Sequence, residues 1–92
     1  MLTRQELGEM RALVDRVHKG SVSREDWSNL AALTLVWQGD AVTTDIAAHG
    51  FDHFVATCAP IYEGHGFRPD DYLRIYHRVC AAAARVLRDR VH

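Results

Sequence analysis

Apolar positions recur at helical spacing in four stretches of the chain. In the first, Leu7, Met10, Leu13, Val14 and Val17 fall on one narrow stripe of a helix over residues 4–19. Thr3 stands where an N-cap belongs, with Glu6 three residues on as its capping-box partner, and Gly20 marks the end. Gly8 lies off the stripe. A mid-helix glycine costs up to about 1 kcal/mol relative to alanine, so it is either a tolerated imperfection or a point where another chain comes close.

The second stretch, over residues 24–38, follows Ser23 as cap with Asp26 as a weaker box. Its segment LAALTLVW is apolar almost all round. It therefore reads as the central helix of the domain, or as a helix with one face turned to a partner. The run Leu33 to Trp37 also suits a strand, but no second strand-like run exists to pair with it.

The third stretch spans residues 44–59. Ile46, Phe51, Phe54, Val55 and Cys58 share a broad apolar side, and Pro60 is expected to break the helix. Gly50 is the point where this helix would divide in two. The fourth, over residues 69–91, opens on Pro69 at the first helical position, with Asp70 and Asp71 where the helix dipole favours anions. Tyr72, Ile75, Tyr76, Val79, Ala82, Ala83, Val86 and Leu87 form its apolar arc. Phe67, two residues before the proline, is placed to staple the start of this helix. Short connections favour antiparallel neighbours, so the pattern predicts an all-α fold, a small antiparallel four-helix bundle formed by residues 1–92 as one domain.

Charge adds a second layer. The net charge of −1 hides a segregation: between Arg24 and Arg68 six acids meet no Lys or Arg, while residues 72–92 carry five arginines against Asp89 alone. On the last helix Arg74, Arg78, Arg85 and Arg88 follow a stripe opposite the apolar arc. Its plain reading is a solvated helix face. Its functional reading is a docking surface, since arginine pairs bidentately with carboxylates and is enriched at interfaces. The acidic middle of a second copy would complement that stripe, which makes a homodimer a natural candidate.

Other chemistries find less support. His49 and His53, four apart, with His77 and Cys80 on the last helix, form an alternative metal set, but helical-wheel positions point them to different faces. No metal or other cofactor is expected. The arginine stripe could contact nucleic-acid phosphates, yet no aromatic residues interleave with it and the third helix carries no Lys or Arg. No nucleophile elbow or phosphate loop is present, so no enzymatic activity is expected. No apolar run reaches the ~20 residues of a membrane span, and the first ten residues lack a signal-peptide core; a cytoplasmic location follows, with Cys58 and Cys80 as free thiols. Ten arginines against one lysine suggest a GC-rich bacterial or bacteriophage genome. The expectation is thus a non-enzymatic helical interaction module, an adaptor, regulator or inhibitor, phage- or plasmid-borne in one concrete version, with a protein partner.

Overall fold

A computed structural model describes residues 1–90; the expected extension of the last helix to residue 91 lies outside them. The fold is all-α, and no strand occurs among the described residues. The described residues form five α-helices: α1 (Arg4–Lys19), α2 (Arg24–Trp37), α3 (Asp40–His49), α4 (Phe51–Tyr62) and α5 (Pro69–Arg90), with one 3-10 turn at Glu63–His65 before α5. None of the described helices is long and apolar enough to cross a membrane.

Local capping chemistry sets the ends of α1 and α2. Thr3 Oγ1 accepts from the Glu6 N–H (3.1 Å) while Glu6 Oε1 accepts from the Thr3 N–H (2.8 Å). Ser23 and Asp26 repeat the reciprocal pair at 3.0 and 3.1 Å. Each box satisfies two of the amide donors that a helix start leaves open. Gly20, at φ 71°, closes α1 in the left-handed conformation that other residues resist.

The expected third helix is two helices, which corrects the four-helix count. Gly50, at φ 86° and ψ 168°, occupies backbone space that is nearly exclusive to glycine and turns the chain between α3 and α4. α3 also starts at Asp40, four residues earlier than the sequence suggests, because its cap is Gly39, which offers no side-chain signal. Pro60 does not break the helix as expected but lies inside α4. Pro60 and Ala56 are both exposed, so water can replace the donor that proline removes from the Ala56 carbonyl.

α5 is the central helix, packed chiefly against α2 and α3, while α1 packs on α2 and α4 lies against α3 and α5. Ile75, Val79, Ala82 and Val86 are buried along α5, and the first three share one core cluster with Ala32, Leu33 and Val36 of α2 and Phe54 and Cys58 of α4. Phe67 staples the start of α5 as expected: its ring meets that of Tyr72 edge-on, centroids 5.9 Å apart. The molecule measures 42 × 30 × 17 Å, about two helix layers thick. In so thin a slab every helix keeps an outer face, and what those faces carry decides what the surface can do.

Candidate interaction surface

The arginine stripe of α5 lies along the line where α1 and α2 come together, and three of its four members are engaged within the chain. Arg78 grips the Glu9 carboxylate of α1 with two hydrogen bonds, at 2.8 and 3.0 Å, and reaches Asn29 of α2 at 3.2 Å. The Glu9 contact holds the Arg78 guanidinium in its charged form more firmly than usual, against the opposing effect of burial. Arg85 pairs with Glu6 at 3.1 Å and donates to the Met1 carbonyl at 2.9 Å. Burial pushes the Glu6 carboxyl up, but the Thr3 N–H and the Arg85 guanidinium together outweigh it and leave the group below its ordinary value. Arg74 donates to Ser28 Oγ (2.8 Å) and Asp71 (3.3 Å). Arg88 is exposed and makes no ion pair or hydrogen bond with the described residues.

Asp71 anchors one end of this line. Only 2% exposed, it accepts from the Arg68 N–H at 2.8 Å, the back half of a capping box at the start of α5, and also pairs with Arg24 of α2 at 3.5 Å and with Arg74. Arg16 to Asp26, at 2.9 Å, adds a bridge between α1 and α2. Arg78 and Arg85 thus tie α5 to α1, and Arg74 ties it to α2.

The residues of the metal alternative are not gathered in one place. His49 and His53 stack at the α3–α4 break with ring centroids 4.9 Å apart, and His49 Nδ1 lies 2.8 Å from the Asp45 carbonyl. His77 is exposed on α5 beside Asp70, Leu73 and Arg74, and Cys80 is half-buried. Among the described residues no three His, Cys, Asp or Glu side chains come together as a ligand set. Cys58 is buried, and burial raises its thiol pKa, away from the nucleophilic thiolate. A recess of about 170 Å³ between α2 and the 3-10 turn is lined by Trp27, Leu30, Tyr62, His65 and Phe67. Its rings pack against one another as a cluster, with centroids 5.3 to 6.5 Å apart. Burial there pushes the Tyr62 hydroxyl up to about 12.

The sequence stripe of α1 divides in two. Leu13 is buried against the core and Met10 and Val17 are half-buried, but Leu7 and Val14 stay 45% and 39% exposed. Trp37, at the end of α2, is 64% exposed and stands beside them. Together Leu7, Met10, Val14 and Trp37 line an open groove of about 740 Å³, with Arg4 and Arg11 on its flank. Gly8 forms part of the wall, and a Cβ placed there would meet nothing within 4 Å. No neighbouring segment of the chain therefore calls for a glycine at this position. Arg4 and Arg11 make no ion pair or side-chain hydrogen bond with the described residues, in contrast to the arginines of α5. Trp37 belongs to the apolar run of α2 and is a residue type common at interfaces; in the fold Val36 beside it is buried, while Trp37, the last residue of α2, stands exposed. Compared with protein-family models, with curated proteins and with solved structures, the chain matches none.

Proposed function

We propose that the protein is a small, non-enzymatic helical interaction module, an adaptor, regulator or inhibitor, that binds a protein partner through the outer face of α1 and the adjoining end of α2. The observation that carries this reading is the open groove of Leu7, Met10, Val14 and Trp37. A large exposed tryptophan beside exposed aliphatic side chains is the composition of an interface centre, and burying these groups is favourable by about 25 cal/mol per Å² of apolar surface. The arginine stripe of α5 supports a lesser role at the edge of such a contact, through Arg88, because Arg74, Arg78 and Arg85 would have to leave internal carboxylates to reach a partner. Two unpaired thiols, Cys58 and Cys80, support a reducing cytoplasm as the setting.

The test is site-specific photo-cross-linking from position 14 in the cell that produces the protein. The reading expects a discrete adduct with one partner protein, lost when Trp37→Ala is introduced. No adduct from position 14, or one indifferent to Trp37→Ala, would remove the groove as the binding surface.

A further inference from the structure

The apolar stripe of α1 has the layout of a coiled-coil seam, with Leu7 and Val14 exposed and Met10 and Val17 half-buried beside them. Leu7 and Val14 are seven residues apart, with Met10 and Val17 each three further on, which are the apolar a and d positions of two heptads. Arg4, Arg11 and His18 then fall at three successive e positions, along one flank of that seam. The opposite flank holds Glu6 and Leu13, which face the fold: Glu6 is tied to Arg85 and Leu13 is buried. Among the described residues, the charge that this outer flank offers to an incoming helix is therefore positive. Lys19 already pairs with Asp15 (2.9 Å), the nearest acid on the outer side of α1, and Arg16 with Asp26.

Resting on the reading that this groove is the binding surface, we infer that its occupant is an acidic amphipathic helix of a partner protein. Its apolar edge lies between α1 and Trp37, and it carries carboxylates about 10 Å apart, at heptad spacing, opposite Arg4 and Arg11. Charge complementarity selects this occupant over the others. In an antiparallel pairing, a second copy of α1 would set the arginine flank against itself, and like charges at such positions oppose association. A membrane surface would need a projecting apolar face, whereas Trp37 walls the strip into a groove. Gly8 fits the same picture, since a bare backbone in the groove wall lets a helix approach closely.

Two labelled 21-residue helical peptides with identical apolar seams, one with Glu and one with Lys along the flank, serve as probes in fluorescence anisotropy. The full chain is expected to bind the Glu peptide about tenfold more tightly, with affinity falling as salt rises. The double variant R4E/R11E, whose positions are exposed, should reverse that preference while keeping its helical circular dichroism. Equal binding of both peptides, lost in Trp37→Ala, would overturn the acidic partner and leave the groove intact as a docking surface. Binding of neither peptide, or binding unaffected by Trp37→Ala, would overturn both readings. Self-association by sedimentation that R4E/R11E alters would assign the groove to a second copy. Binding to phosphatidylserine vesicles that R4E/R11E abolishes would assign it to a membrane. Either result contradicts the acidic helix.

Discussion

Two sets of arginines on neighbouring helices have opposite fates. Arg74, Arg78 and Arg85 of α5 are each engaged by a carboxylate of the same chain, whereas Arg4 and Arg11 of α1 find none among the described residues. Residue type and helical spacing are alike in the two sets. What differs is the neighbour. α5 runs through the middle of the slab, so its polar edge meets Glu6 and Glu9 of α1; the outer flank of α1 is exposed and meets no carboxylate among the described residues. A basic stripe on a central helix is therefore a means of attachment, and one on a peripheral helix remains available to a partner.

Breaking the attachment should show the largest effects. Asp71→Ala removes a buried carboxylate that serves Arg24, Arg74 and the Arg68 N–H together, and should cost about 2–3 kcal/mol in a denaturant titration. Glu9→Ala frees only the half-exposed Arg78 and should cost about 1 kcal/mol in the same measurement. An effect of Glu9→Ala within 0.5 kcal/mol of zero would mean that the α1–α5 bridge is ornamental.

On the free face the sign reverses. Gly8→Ala meets open space on a helix and should stabilise the fold by about 0.5–1 kcal/mol while weakening partner binding. A loss of stability there would show that the backbone at Gly8 is closer to its own chain than the groove implies.

The attachment should also fail in acid. Glu6 and Asp26 both have folded-state values below their ordinary 4.5 and 3.8, Glu6 through the Thr3 N–H and Arg85 in spite of burial, Asp26 first through the Ser23 N–H and then through Arg16. A depressed carboxyl binds its proton more readily in the unfolded chain. Its contribution is thus full above the ordinary value and is lost as pH falls through the folded one. Unfolding midpoints should hold level from pH 7 to 5 and decline below about 4.5, and Glu6→Gln should flatten part of that decline.

Much of the fold is legible in the sequence because its signals are local. Thr3 with Glu6, Ser23 with Asp26, and Pro69 name the starts of α1, α2 and α5 within a few residues of chain. Gly50 is legible as a possible division, and its positive φ makes it one. The start of α3 is hidden because Gly39 caps it without a side chain, and Pro60 misleads because the carbonyl it deprives of a donor sits on an exposed part of the helix.

The surface is harder to read for a different reason. The α1 stripe is visible, but which half of it α2 covers is a tertiary fact, and only that separates Leu13 from Leu7 and Val14. Likewise Arg78 and Glu9 lie 69 residues apart, so a count of charges by segment sets them in different blocks. The clue that was available is the pair Glu6 and Glu9 on one edge of the α1 stripe, with Arg4 and Arg11 on the other.

Thermal melting of two double charge reversals, R78E/R85E and R4E/R11E, tests the contrast between the two sets most directly. The first sets like charges against Glu9 and Glu6 and should lower the midpoint by at least about 10 °C; the second should leave it within about 3 °C of the parent. Equal shifts for the two variants, or a larger fall for R4E/R11E, would contradict the assignment of the α5 arginines to the fold and of the α1 arginines to a partner.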